Sequence, residues 1–196
     1  MSLSEEASRS IQGAWGLLRL DPAAPTAFNA TAEGFWRSFA AAFVLLPLSI
    51  GFQAYIGPAE GTEQAEPLTR WAVNILIYAI GWTLWPLLAF YITRALGCGD
   101  RYIGYVVAYN WSQLLTGPFL IGVGVLARMG LEAEEAAMIS LAALGAALFY
   151  EYRIARQMLG VTPGKAAMLV FATLVMAEIL RTVADAALQL SVGEAL

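Results

Sequence analysis

Five apolar stretches, each long enough to cross a bilayer, constrain this chain more than any other feature. They run over about 35–57, 71–93, 102–127, 136–156 and 163–190. Each supplies the ~20 residues that a helix needs to traverse ~30 Å of hydrocarbon. In lipid the backbone must satisfy its own N–H and C=O groups, so such stretches resolve into helices. The sequence therefore predicts an all-α, polytopic membrane helix bundle with about five transmembrane helices. The fifth stretch is the least regular, because charges interrupt its second half.

Composition agrees. Of the 196 residues 59% are hydrophobic and 13% charged, against about a quarter charged in an ordinary soluble domain. There is no histidine and one cysteine, Cys98. That excludes a disulfide within one chain and any metal or acid–base site built on imidazole. No cofactor, metal or nucleic-acid signature is present. Residues 1–20 lack the basic start, apolar core and cleavage site of a signal peptide.

Residues 1–34 read as a cytoplasmic, interfacial segment. Ile11, Ala14, Trp15 and Leu18 fall on one side of a short amphipathic helix; Glu5, Ser8, Arg9 and Gln12 lie largely on the other. Pro22 and Pro25 stop it, and Thr31 can cap the next helix with Glu33 in its first turn. The bundle occupies 35–190 and a short tail 191–196. The connections are short: Gly160 is placed to close the fourth helix, and Thr162–Pro163 to open the fifth.

Lysine and arginine set the expected orientation. With the N-terminus cytoplasmic, that side receives Arg9, Arg19, Arg37, Arg94, Arg101, Arg153, Arg156 and Lys165, and the other receives Arg70, Arg128 and Arg181. Eight against three predicts N-in, C-out.

The candidate site is a polar cluster at membrane depth. Asn110 and Gln113 share one face of the third stretch; Glu178, Arg181 and Asp185 share one face of the fifth with alternating sign. A charge near mid-bilayer costs about 2.5–3.5 kcal/mol on insertion scales. Glu178 and Arg181 can pair with each other and, at similar depth, could meet Asn110 and Gln113. The cluster is either a polar, proton-sensitive pocket or an ion triad that locks the fifth helix into the bundle; the lock is the preferred reading.

Other features have simpler readings. Pro47, Pro86 and Pro118 kink their helices, as binding-site helices in transporters do, although packing alone accounts for them. Tyr102 and Tyr105, with Tyr150, Tyr152, Trp36 and Trp71, fit an interfacial aromatic belt. The run Ala142, Ala143, Gly145, Ala146, Ala147 predicts a central place for the fourth helix. Gly122-Val-Gly124-Val-Leu-Ala127 mimics a dinucleotide fingerprint without the strand it needs. Gly160-Val-Thr-Pro-Gly164-Lys165 is one residue short of a phosphate loop.

The stretch Glu33-Gly-Phe-Trp-Arg-Ser-Phe39 resembles a motif of uncharacterised alphaproteobacterial inner-membrane proteins. The five-span plan and Gly104-Tyr105-Val-Val-Ala-Tyr109 look distantly like the Yip1 family. That resemblance implies a membrane-organising or partner-binding role without catalysis, and carries no functional residue over. The expectation is a non-catalytic protein that scaffolds, assembles or regulates another membrane component. Its partners would be the lipid bilayer and a membrane protein or further copies of itself. The alternative is a small-solute or proton-coupled permease with its polar site around Glu178 and Arg181. An enzyme is the weakest reading, since without histidine it would need carboxylates or serine acting alone, and the only membrane-depth carboxylates sit beside an arginine.

Overall fold

A computed structural model describes residues 2–59 and 61–193, and all of the regular structure among them is helical. The helices are α1 (Leu3–Leu18), α2 (Ala32–Ser38), α3 (Ala40–Ile56), α4 (Pro67–Ala95), α5 (Tyr102–Leu126), α6 (Ala133–Leu159) and α7 (Pro163–Gly193). Short 3₁₀ turns cover Ala24–Ala27 and Gly99–Arg101.

Local chemistry sets the ends of these helices. Ser2 and Glu5 form a reciprocal capping box at α1: the Ser2 N–H donates to the Glu5 carboxylate at 2.8 Å, and the Glu5 N–H donates to Ser2 Oγ at 3.3 Å. That bonding holds the Glu5 carboxyl below the usual carboxylate range. Thr31 Oγ1 accepts from the Gly34 N–H at 3.1 Å and opens α2. Gly160, at φ +63°, closes α6, and Pro163 is the first residue of α7. A side chain at Gly160 would also strike the Arg101 guanidinium, which packs against it.

Among the described residues, four helical runs are long and apolar enough to cross a membrane: Ala32–Ile56, Pro67–Ala95, Ala133–Leu159 and Pro163–Val192. The first joins α2 to α3 across a kink at Phe39. The remaining predicted stretch, α5, is long enough at 25 residues but carries Asn110, Ser112, Gln113 and Thr116 along its middle. Those groups lower its apolarity and find partners inside the protein.

The centre of the bundle differs from the expectation. Small residues pointed to the fourth apolar helix, yet in α6 only Ala143 and Ala147 of that run are buried, while Ala142, Gly145 and Ala146 are exposed. The central helix is α5, which packs against α1, α2, α3, α4 and α6. Trp111, Val106, Val107 and Asn110 lie within 2% of full burial. A small-residue stripe permits close approach but does not require it. The interior aromatic and polar groups of α5 require neighbours.

Helix α1 also turns a different face inward. Glu6, Ser10, Gly13, Ala14 and Leu17 are buried, whereas Trp15 and Leu18 of the predicted apolar face are exposed. The close approach explains this: a Cβ on Gly13 would lie 2.7 Å from Ala27 Cβ. The buried Glu6 carboxylate pairs with Arg37 Nη1 at 3.0 Å and accepts from Asn29 Nδ2 at 3.3 Å. Tyr150 Oη donates to the Ala14 carbonyl at 2.6 Å, fixing α1 to α6.

The aromatic belt is partly interior. Tyr105 and Tyr150 are buried, and the Tyr105 and Tyr109 rings pack on Trp85 with centroids 6.5 and 5.6 Å away. Trp36 remains exposed and Trp71 half-buried.

Candidate intramembrane polar site

The five residues of the predicted polar cluster fall into two separate groups. Asn110, on α5, is buried and donates through Nδ2 to Ser38 Oγ at 2.9 Å. Ser38 Oγ in turn donates to the Phe35 carbonyl at 2.7 Å, so the kink between α2 and α3 is tied to α5. Gln113, one turn on, accepts from Thr116 Oγ1 at 2.9 Å.

Glu178, Arg181 and Asp185 meet one another on α7. Arg181 Nε and Nη2 donate to the two Glu178 carboxylate oxygens at 3.0 and 2.6 Å, and Nη1 donates to Asp185 Oδ2 at 2.9 Å. The fork-to-fork geometry is the strong form of this pair. Glu178 and Arg181 face away from the protein, their side chains each 63% exposed, while Asp185 is half-buried. No hydrogen bond joins it to Asn110 or Gln113 among the described residues.

Asn110 and Gln113 instead line a cavity of about 330 Å³ between α3, α4, α5 and α7. Tyr109, Trp82, Trp85 and Pro86 form its inner end; Ile77, Ile121 and Leu180 form its outer end. Neither Glu178 nor Arg181 reaches it. Pro86 thus lies in a wall of the cavity, and its carbonyl accepts from Tyr102 Oη at 3.0 Å.

Behind that wall stands a residue that sequence reasoning passed over. Glu151 of α6 accepts from Thr173 Oγ1 of α7 at 2.9 Å and, more loosely, from Tyr109 Oη of α5 at 3.4 Å. It has no ion-pair partner among the described residues. This corrects the expectation that membrane-depth carboxylates all carry an adjacent arginine. The signal was available: Glu151 lies inside an apolar stretch, eight residues or roughly 12 Å from the end of α6 at Leu159. Its flanking tyrosines drew the belt reading instead.

The cations at the same end of the bundle as α1 are used locally. Arg101 Nη1 donates to the Leu159 carbonyl at 2.9 Å, Arg156 Nη1 to the Val161 carbonyl at 2.8 Å, and Lys165 Nζ to the Leu96 carbonyl at 2.9 Å. Each satisfies an acceptor left over near a helix end. Cys98 lies among them, buried, with Sγ 3.4 Å from the Thr93 carbonyl; burial pushes its thiol up from the usual range.

No group of three or more His, Cys, Asp or Glu side chains among the described residues could hold a metal ion. No family model, no curated protein and no solved structure matches the chain.

Proposed function

We propose that the chain is a non-catalytic integral membrane protein that assembles with or regulates another membrane component. In this reading α5 is a fifth span enclosed by the four apolar runs, the N-terminus is cytoplasmic, and α1 lies at the cytoplasmic interface. The lysine and arginine distribution supports that orientation. A membrane-organising role without catalysis is also what the Yip1-like resemblance implies.

The observation that carries the reading is the ion triad of α7, with Glu178 and Arg181 exposed. Glu178 lies about 22 Å along α7 from Pro163, well inside a hydrocarbon layer of ~30 Å. Internal pairing offsets much of the cost of three charges there, but a face of lipid tails returns nothing for the hydrogen-bonding capacity left over. A protein surface does. Photocrosslinking in intact membranes from position 171 or 182, both exposed and within about a sixth of a turn of Glu178 around α7, tests this. The expected product is an adduct with one membrane protein or a second copy, diminished by Arg181→Leu. Adducts with lipid alone, at every expression level, would remove the reading.

A permease for a small solute is the second reading, favoured by the cavity that Asn110 and Gln113 line. Its polar site would then exclude Glu178 and Arg181.

A further inference from the structure

The cavity between α3, α4, α5 and α7 is graded in polarity along its length. From Asn110 to Ile121, or from Pro86 to Ile77, it extends roughly 15 Å parallel to the helices. Its amide and indole groups gather at the inner end, about midway along the spans; farther out it is mainly aliphatic, with the Ser49 hydroxyl and with Tyr78, whose Oη donates to the Ala42 carbonyl at 2.6 Å. At about 330 Å³ it falls at the small end of the ~300–1,000 Å³ range of small-molecule sites.

The inner end has hydrogen-bonding capacity in excess of what the protein uses. Asn110 Nδ2 has two N–H groups, and one hydrogen bond, to Ser38, occupies it. Trp85 is 1% exposed, and its indole Nε1 completes no hydrogen bond. An orphaned buried donor costs about 1–3 kcal/mol unless something accepts from it. Pro86, with no N–H, leaves the carbonyl of Trp82 without its helical donor, and both residues line the cavity. No charged side chain lines it. An ionic head group placed there would be desolvated with nothing opposite, which a neutral one avoids.

We propose that this cavity is a binding site for a neutral, membrane-soluble amphiphile. A hydrogen-bond-accepting head, such as a carbonyl, sits at Asn110, Gln113 and Trp85, and an apolar chain runs out past Ile77, Ile121 and Leu180. The Trp82, Trp85 and Tyr109 rings give the head flat walls. Glu151 accepts loosely from the Tyr109 hydroxyl on the far side of that wall. Two kinds of molecule share this chemistry, a neutral glycerolipid and a quinone on an apolar tail. The site does not depend on any partner at α7.

The test uses the full chain in phosphatidylcholine nanodiscs, titrated with dioctanoylglycerol, with a decyl-substituted benzoquinone and with decanoate. Native mass spectrometry reads stoichiometry, and thermal unfolding reads stabilisation. Saturable 1:1 binding of one neutral probe is expected, and which of them binds assigns the source; decanoate at pH 8 is expected to stay at the partition baseline. Gly81→Leu fills the cavity. Its Cβ meets only Leu180 Cδ1, at 3.6 Å, so the fold has room for it, and saturable binding is expected to vanish. Ala177→Phe fills the same space from α7 and is expected to do likewise. Gln113→Leu is expected to weaken binding about three- to tenfold, the worth of one neutral hydrogen bond. Binding of neither neutral probe, binding of decanoate as tight as theirs, or unchanged affinity in both cavity-filling variants would overturn the proposal.

Discussion

The two halves of α6 live in different surroundings. Toward its C-terminal end Ala147, Tyr150, Ile154, Ala155 and Leu159 are buried, and Tyr150 and Glu151 bond to α1, α5 and α7. Toward its N-terminal end every residue from 133 to 146 is exposed except Ala143 and the half-buried Ala136. The matching ends of α5 follow suit: Tyr105, Trp111 and Ser112 are enclosed, whereas Phe119 and Leu120 are not. One half of the bundle therefore determines its own packing by hydrogen bonds and close contact. The other half presents apolar side chains that gain little from one another in lipid, where packing rather than water exclusion drives helix association.

The comparison can be broken by substitution, starting with the largest effect. Trp111→Ala, in the enclosed half, is expected to destabilise the fold by about 3–5 kcal/mol, while Phe119→Ala stays below about 1 kcal/mol. Unfolding in mixed micelles measures both, and equal losses would erase the distinction. Glu6→Leu removes the buried partner of Arg37. A loss of about 2 kcal/mol is expected, less than the 3–5 kcal/mol for a fully buried pair, because Arg37 keeps its i,i+4 contact with Glu33. Faster proteolytic release of α1 should accompany it. Tyr150→Phe deletes the donor to the Ala14 carbonyl and the contact with Ser112 Oγ at 3.0 Å, for about 1–2 kcal/mol. Hydrogen exchange should localise that loss to the α1–α6 contact.

The smallest effect is one of pH. The folded-state pKa of Glu5 lies below its ordinary value because the capping box favours the charged form. Its contribution is therefore complete above the usual carboxylate range and disappears as pH falls through that lower value. Fraying of the first turn of α1 below about pH 4.5, with the enclosed half unchanged, is the expected result. Amide exchange at Glu5 and Glu6 follows it, and a Ser2→Ala variant should fray at neutral pH.

Local features were legible in the sequence and relations across the chain were not. The apolar stretches gave the helices; Thr31, Gly160 and Pro163 marked their ends because capping and φ preference act within a turn or two. The alternating signs at 178, 181 and 185 foretold a triad for the same reason. Asn110 meets Ser38 at a separation of 72 residues and Tyr150 meets Ala14 at 136, which no periodicity encodes. The burial of Glu6 was not legible, because its compensation comes from Arg37 and Asn29, beyond the end of its own helix. The small residues of α6 misdirected the choice of central helix: they describe what a surface tolerates, and α5 holds the groups that need enclosure.

Glu151 has a consequence for how the chain enters a bilayer. Its closer hydroxyl, Thr173, belongs to the next helix and arrives through a connection of only three residues, Gly160 to Thr162. Inserted ahead of α7, α6 would leave Glu151 with only the longer contact from Tyr109 of α5. Delivered together as a hairpin into a bilayer, α6 and α7 would bring the acid and its closer donor across in one event.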